Sequence, residues 1–279
     1  MSRHHFIGKD GLTLAADHHG PADGAPVLLL HGGGQTRHAW GATARMLAER
    51  GYHAIAMDLR GHGDSGWSPE GDYGLMTFGA DVSAAIESIG RPVVLVGASL
   101  GGMASLLASA KAAPGQVRAL ILVDITPVPR PSGADGIRGF MSASPNGFAD
   151  LDEVADAVAA YLPHRRRPSD PRGLMKNLRE RDGRLYWHWD PAFIEGTFQD
   201  RSLTTNAMAE GARAITAPTL LVRGENSELV GPEDVVAFRQ IMPHAEIITV
   251  PGARHMVAGD QNTEFGAALL DYVQRIAPA

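Results

Sequence analysis

The sequence Gly-Ala-Ser-Leu-Gly at positions 97–101 places Ser99 between two glycines, directly after an apolar run and directly before a helical pattern. Residues 93–96 are all apolar, and residues 102–110 are small or straight-chain, as in a buried helix. The stretch therefore predicts a strand that turns sharply into a helix. Such a turn holds the serine in a strained conformation and needs small neighbours to close. It would raise the hydroxyl above the sheet edge, close to the N–H groups of the helix N-terminus.

Glycine is common in this chain, with 33 among 279 residues, so a serine between two glycines can also occur by chance. The strand before the motif and the helix after it are the context that a nucleophilic serine needs. A nucleophile also needs a base, an acid and a second hydrogen-bond donor for the developing oxyanion. A catalytic Ser99 therefore requires that the rest of the chain supply these three groups.

Apolar runs alternate with helical patterns along the first half of the chain. Strands are predicted at residues 26–30, 53–57, 93–96 and 117–123, after an N-terminal hairpin at residues 3–19. The runs at 26–30 and 93–96 are apolar throughout, as expected for strands buried on both faces. The predicted fold class is α/β, a mostly parallel, doubly wound sheet with helices on both faces.

Four polar residues follow directly on predicted strands or end them: His31, Asp58, Ser99 and Asp124. In parallel sheets of this kind, ligands bind at the carboxyl ends of the strands. The functional site is therefore expected at this edge of the sheet.

The alternation stops between about residues 127 and 216, where no strand-like apolar run occurs. Helices are predicted at about residues 151–162, 171–181 and 202–215, with the sequence Tyr-Trp-His-Trp-Asp at 186–190 between the last two. We interpret the segment as an inserted helical lid. The predicted organisation is a first core part (1–126), the lid (127–216) and a second core part (217–279).

Further strands are predicted at residues 219–223 and 246–250, and His255 lies on a loop after the last of them. A histidine at this edge of the sheet suits a general base for Ser99. The chain has 12 histidines, so an ordinary loop histidine is the alternative. The order serine, acid, histidine along the chain is typical of the nucleophile elbow and favours His255 as the base.

Five segments carry recognisable patterns: His-Gly-Gly-Gly at 31–34, Asp-Leu-Arg-Gly-His-Gly-Asp-Ser at 58–65, Gly-Ala-Ser-Leu-Gly at 97–101, Val-Asp-Ile-Thr-Pro at 123–127 and Gly-Ala-Arg-His at 252–255. Together they resemble the α/β-hydrolase-fold serine hydrolases of the lid-bearing esterase group. The resemblance implies that the backbone N–H groups of Gly33 and Leu100 form the oxyanion hole.

The resemblance also implies a structural part for the loop that begins at Asp58, beside the nucleophile. His31 is expected to support the oxyanion loop by hydrogen bonding. His188, between two tryptophans of the lid, is expected in core packing or at the interface between the lid and the body.

Two carboxylates are candidates for the acid that orients His255, and the sequence leaves the choice open. Most relatives carry an aspartate three residues after the glycine that ends the strand following the lid; here that glycine is Gly224, and position 227 is a serine. Glu228 is the next residue, and Asp124 ends the strand before the lid. Some relatives with a similar Asp-Ile-x-Pro segment use that aspartate. A short carboxylate at a rigid strand end orients an imidazole with less loss of entropy, which favours Asp124.

The function predicted from these residues is hydrolysis of carboxylic esters of small to medium hydrophobic substrates through an acyl-enzyme. An apolar entrance, and hence substrate binding, is predicted from four aromatic or apolar side chains of the lid: Phe140, Met141, Trp187 and Trp189. Lactonases, perhydrolases and hydrolases of carbon–carbon bonds use the same machinery and stay open as alternatives. A non-catalytic ligand-binding protein is the alternative of a different class; the complete set of catalytic residue types argues against it.

Composition argues against several other kinds of partner and binding site. The net charge is −6, and no long basic stripe occurs, so nucleic acid is not an expected partner. The chain has no cysteine, which excludes disulfides and thiolate metal sites. No run approaches 18 apolar residues, and we expect a cytoplasmic protein without a membrane partner. A small-molecule substrate, no cofactor and no metal are predicted; the oligomeric state is open.

Overall fold

The computed structural model describes residues 2–129, 131–196, 201–257 and 262–279. The strands are β1 (Ser2–Ile7), β2 (Thr13–His19), β3 (Pro26–Leu30), β4 (His53–Met57), β5 (Val93–Ala98), β6 (Val117–Val123), β7 (Leu178–Arg181), β8 (Arg184–Trp187), β9 (Thr219–Gly224) and β10 (Glu246–Val250). The α-helices are α1 (Gly41–Ala48), α2 (Leu75–Ile89), α3 (Leu100–Lys111), α4 (Pro131–Ser142), α5 (Leu151–Tyr161), α6 (Pro191–Gly196), α7 (Arg201–Ala214), α8 (Pro232–Ile241) and α9 (Asn262–Ile276).

Eight strands form one sheet in the order β1-β2-β4-β3-β5-β6-β9-β10. The N-terminal hairpin β1-β2 is antiparallel, and the six strands from β4 to β10 along the sheet pair in parallel. This arrangement confirms the predicted α/β class with a mostly parallel sheet.

The strands are apolar throughout because alternate side chains enter two separate cores. On β3, Leu28 and Leu30 face the core that includes α2 and α3, whereas Val27 and Leu29 face the core that includes α1 and α9. All four side chains are fully buried. The sheet therefore has helices on both faces, and only its edges remain for a site.

Strand β5 turns into α3 through a backbone that only small residues permit. Ser99 has a φ of 47°, in the left-handed half of the map. A side chain at Gly97 would place its Cβ 2.4 Å from the carbonyl oxygen of Gly101, and one at Gly101 would come as close to the carbonyl oxygen of Leu30. The predicted sharp turn is therefore present, and it brings α3 against both β5 and β3.

The elements between β6 and β9 differ in part from the prediction. A helix was expected over residues 171–181, and this prediction is wrong. A short 3-10 helix (Pro171–Asn177) occupies the first part of this range. Strand β7 follows it directly and pairs antiparallel with β8. The signal in the sequence is the Asp182-Gly183 pair, whose φ values of 51° and 71° form the tight hairpin turn. The strands were missed because β7 is rich in charged residues.

The predicted division at residues 127 and 216 stays a prediction; below, "the insertion" means the elements from α4 to α7. None of the helices in the described part of the chain is both long and apolar enough to cross a membrane.

We expect Gly97→Ala to lower the free energy of unfolding by about 3 kcal/mol, because the new methyl group meets backbone that cannot move aside. Gly136→Ala, in α4 with nothing within 4 Å of the new Cβ, is the matched control. It should be neutral or stabilise by about 0.5–1 kcal/mol, as alanine does in a helix. Urea titrations of both variants measure the difference; equal stabilities would contradict the packing argument.

Candidate active site

Three loops at the carboxyl edge of the sheet bring Ser99, His255 and Asp124 together. Nδ1 of His255 lies 2.8 Å from Oδ2 of Asp124, at hydrogen-bond distance. Ser99 and His255 both line one cavity of about 430 Å³. Ser99 and the pair of His255 and Asp124 thus belong to one site, and their residue types suit a nucleophile, a base and an orienting carboxylate.

The Asp124 carboxylate is buried and fixed by several donors. Oδ1 accepts the backbone N–H of Gly224 at 3.0 Å, and Oδ2 accepts the Ser227 hydroxyl as well as Nδ1–H of His255. The residue is fully buried and has a φ of 51°, a conformation that aspartate tolerates better than most residues. These bonds hold the carboxylate in one orientation toward the imidazole.

Glu228, the other candidate acid, has a different partner. Its carboxylate pairs with Arg254, and its side chain is 52% exposed. The preceding residue, Ser227, occupies the position where an aspartate was expected from the resemblance, and its hydroxyl donates to Asp124. This contribution of Ser227 was missed; the departure from the usual residue was the available signal.

The glycine loop (residues 31–35) faces the elbow. The N–H groups of Gly32 and Gly34 donate to side-chain acceptors at 3.0 and 3.1 Å, and the N–H of Gly101 donates to a carbonyl of the glycine loop at 3.1 Å. Among the described residues, the N–H groups of Gly33 and Leu100 donate to no protein acceptor. Neither N–H group is therefore committed to a partner within the described ranges, which a donor to an oxyanion requires.

Three buried histidines stand behind the glycine loop: His31, His62 and His188, each at most 2% exposed. Their rings form a row, with centroids 5.2 Å apart between His31 and His62 and 5.7 Å between His62 and His188. Burial lowers the pKa of His31 to about 4 and that of His62 to about 3, and it lowers the pKa of His188 well below its usual value. All three imidazoles are therefore neutral at pH 7, each with one donor and one acceptor.

His31 and His62 connect the glycine loop to the neighbouring loops. Nδ1–H of His31 donates to the carbonyl of Gly32 at 2.8 Å, and its Nε2 accepts the N–H of Leu59 at 3.0 Å. Nδ1–H of His62 donates to a carbonyl at 2.9 Å, and its Nε2 accepts the N–H of Gly34. His31 thus makes the kind of contact expected of it, and His62 makes a similar one.

Asp58 is engaged below this loop in a buried ion pair. Its carboxylate accepts the backbone N–H of Arg37 at 2.6 Å and that of Asp64 at 2.8 Å, and it pairs with the Arg37 guanidinium. Both Asp58 and Arg37 are almost completely buried. These contacts suit the structural part expected for the segment that begins at Asp58.

The insertion lines the cavity with several aromatic and apolar side chains and with two cationic ones. All four side chains expected to bind substrate line it: Phe140, Met141, Trp187 and Trp189. The two tryptophan rings stack with centroids 5.0 Å apart, and Phe140 stacks on Tyr161 at 4.2 Å. Tyr161, Arg165 and Lys176 also line the cavity and were missed, because no local pattern marks which residues of a helical insertion face inward. Within the described ranges, no group of three or more histidine or carboxylate side chains is arranged to hold a metal ion.

The sequence model of a family described as the alpha/beta hydrolase family matches residues 27–268. The chain is 30% identical over 244 residues to esterase Rv0045c of Mycobacterium tuberculosis, covering 84% of this chain and 78% of that protein. It is 30% identical over 269 residues to 2-(acetamidomethylene)succinate hydrolase of Mesorhizobium japonicum, covering 92% and 89%. A crystal structure of E-2-(acetamidomethylene)succinate hydrolase matches with a TM-score of 0.84 at 25% identity, covering 100% of this chain and 99% of that one.

The row of neutral histidines predicts loss of stability in acid. Each imidazole takes up a proton on unfolding once the pH is below about 6.5, whereas the native site stays neutral down to about pH 4. The free energy of unfolding should therefore fall by about 1.4 kcal/mol per pH unit for each of the three, or about 4 kcal/mol per unit together.

Urea titrations between pH 7 and 5 measure the total slope, to which other histidines whose pKa burial lowers, such as His18 and His53, also contribute. The difference between wild type and His62→Gln isolates one member of the row: the substitution should reduce the slope by about 1.4 kcal/mol per pH unit, the contribution of one proton. A slope of one proton or less in the wild type would contradict the neutral row.

Proposed function

Because this chain belongs to the alpha/beta hydrolase family, we propose that it is a serine hydrolase that cleaves carboxylic esters through an acyl-enzyme. The observation that carries the proposal is the hydrogen bond between His255 and the buried Asp124, made beside a strained Ser99 in a shared cavity. Strain at a serine between a strand and a helix is typical of a nucleophile elbow.

In the proposed reaction, Ser99 Oγ attacks the ester carbonyl while Nε2 of His255 takes the hydroxyl proton. The N–H groups of Gly33 and Leu100 donate to the oxyanion, which develops where both can reach it. His255 then gives its proton to the leaving alcohol, and an acyl group stays on Ser99. Water, activated by the same imidazole, releases the acid and restores the enzyme.

We assign the orienting role to Asp124 rather than Glu228. The carboxylate at Nδ1 fixes the tautomer in which Nε2 is free to accept the serine proton, and it stabilises the imidazolium that forms. The buried position of Asp124 keeps this interaction from being screened by solvent. The Glu228 carboxylate is exposed and paired with Arg254, so solvent screens its effect on the imidazole.

The expected substrates are small to medium esters with an apolar acyl or alcohol group. A cavity of about 430 Å³ is in the range of small-molecule sites. Stacked aromatic side chains, above all Trp187 and Trp189, offer flat apolar surface to such a group. Lactones carry the same reacting carbonyl and belong to the substrates that should be compared.

A second candidate is hydrolysis of esters or amides that carry a carboxylate. The half-buried Arg165 and the exposed Lys176 both line the cavity, and no aspartate or glutamate lines it within the described ranges. Cations near a site favour anionic substrates by direct pairing and by steering. One relative is named for hydrolysis of 2-(acetamidomethylene)succinate, a molecule with carboxylates.

The test of the main proposal is turnover of p-nitrophenyl esters of rising chain length beside a lactone. Wild type should hydrolyse the butyrate with a kcat/KM about tenfold above the acetate, since two buried methylenes contribute about 0.8 kcal/mol each. Ser99→Ala should lose on the order of 10⁵–10⁶ in kcat, while keeping its melting temperature. A Ser99→Ala rate above a few per cent of wild type would exclude Ser99 as the nucleophile.

The same assay separates the two candidates if p-nitrophenyl hemisuccinate, with the chain length of the butyrate, is included. The main proposal predicts that the butyrate reacts faster. The second candidate predicts that the hemisuccinate reacts faster, with an advantage that falls as salt is added.

The assignment of the acid predicts a large asymmetry between two matched substitutions. Asp124→Asn should lower kcat by about 10⁴, because the amide can present an N–H to Nδ1 and favour the wrong tautomer. Glu228→Gln likewise replaces a carboxylate by its amide and should change kcat less than twofold, because Glu228 is exposed and pairs with Arg254. The reverse ranking, or equal partial losses, would show that Asp124 alone is not the acid.

A further inference from the structure

A buried histidine of the insertion, His188, which follows β8, makes a polar contact with the glycine loop. Its ring is 2% exposed. Nδ1 accepts the backbone N–H of Gly63 at 2.7 Å, and Nε2 lies 3.4 Å from the carbonyl oxygen of Gly34. With Nδ1 as acceptor, Nε2 carries the proton and donates to Gly34. One imidazole thus joins the insertion to two core loops.

The backbone N–H and the carbonyl of Gly34 are both hydrogen-bonded to histidine side chains. Its N–H donates to His62 and its carbonyl accepts from His188, and both imidazoles are buried and neutral. Gly33, whose N–H is available to an oxyanion, is the residue directly before it in the chain. The rigid peptide between the two residues carries the N–H of Gly34 and ends at the Cα of Gly33, so a shift at Gly34 displaces that Cα. The Gly33 N–H lies on the other side of this Cα, in the peptide whose Gly32 carbonyl accepts from His31 and Gln35.

Two more side chains of the insertion touch the same loop. A Cβ at Gly34 would lie 3.3 Å from Sδ of Met141, and one at Gly33 would lie 3.5 Å from the ring of Phe193. Phe193 also packs edge-on against His62, with ring centroids 4.6 Å apart. The insertion therefore covers the glycine loop from α4 and α6 as well as from His188.

We propose that His188 is a positioning residue, which holds the Gly33 donor in place through the carbonyl of Gly34, so that the oxyanion hole is complete only while the insertion is seated on the core. The proposal rests on the proposed serine-hydrolase function. It assigns to the insertion a part in the chemical step besides forming the substrate cavity.

Two substitutions of His188 separate its two hydrogen bonds. Glutamine places its terminal amide where Nε2 stood and can still donate to Gly34, whereas asparagine reaches only the position of Nδ1 and can accept from Gly63 alone. Tyr73→Phe is the matched control. It removes another buried bond between core and insertion, from Tyr73 to Asp190, which does not touch the glycine loop.

The measurements are kcat and KM on p-nitrophenyl acetate, the inhibition constant of phenylboronic acid, and the melting temperature. His188→Asn should lower kcat at least 30-fold and weaken the boronate by a similar factor, with KM changed less than about twofold. His188→Gln should stay within fivefold of wild type in both. Tyr73→Phe should lower the melting temperature without this change in kcat or boronate binding.

The proposal is overturned if asparagine and glutamine have equal effects, if only KM changes, or if Tyr73→Phe matches His188→Asn in all readouts. If His188→Asn does not fold, His188→Leu removes both polar atoms and keeps the buried site apolar, and the same expectations apply. The rate of Ser99 labelling by a fluorophosphonate also depends on the oxyanion donors and needs no ester turnover. If no ester is hydrolysed, the proposed ester substrate is wrong. If labelling of Ser99 is nevertheless slower in the asparagine or leucine variant and unchanged in the glutamine variant, the positioning role of His188 is supported.

Discussion

The close approach of α3 to β5 and β3 is the constraint on which the site depends. Gly97 and Gly101 bring backbone against backbone at distances that no Cβ permits, and Ser99 takes up the positive φ that the turn requires. The same contact seats the N–H of Gly101 on the carbonyl of His31. The nucleophile and the glycine loop are therefore fixed relative to each other by packing of main chain, which cannot relax by a change of rotamer.

Behind the glycine loop, buried histidine side chains hold the main chain in place by hydrogen bonds. Neutral imidazoles satisfy backbone groups that no strand or helix satisfies, and each histidine uses both of its nitrogens. The same burial that keeps His31 and His62 neutral makes their protonation costly, so the precision of the loop at neutral pH is obtained at the expense of stability in acid.

The pair of Asp124 and Ser227 shows how a carboxylate can be supported from a second strand end. Asp124 follows β6, and Ser227 follows β9, the next strand in the sheet. The two loops lie side by side because these strands are paired, so a hydroxyl on one can donate to a carboxylate on the other. The orientation of His255 then depends on both loops, although the hydrogen bond to its ring comes from one.

Much of the fold was determined by the sequence alone. The run of apolar residues before Ser99, the small residues around it and the polar residues at strand ends specify the α/β sheet, because strand burial and the sharp turn depend on local composition. Position along the chain also pointed to His255. The charged strand β7 was missed, since Leu-Arg-Glu-Arg suits a helix as well, and only the pairing with β8 decides between them.

Tertiary structure alone decided which side chains meet. Asp124 and Glu228 could not be separated by composition or spacing, because the choice depends on which loop of two adjacent strands reaches Nδ1 of His255. The contact between His188 and Gly34 could not be predicted from the sequence either, because the two residues are 154 positions apart in the chain. Local sequence fixes the conformation of each segment, whereas a hydrogen bond between distant segments depends on how the sheet and the insertion pack, and that is a property of the whole fold.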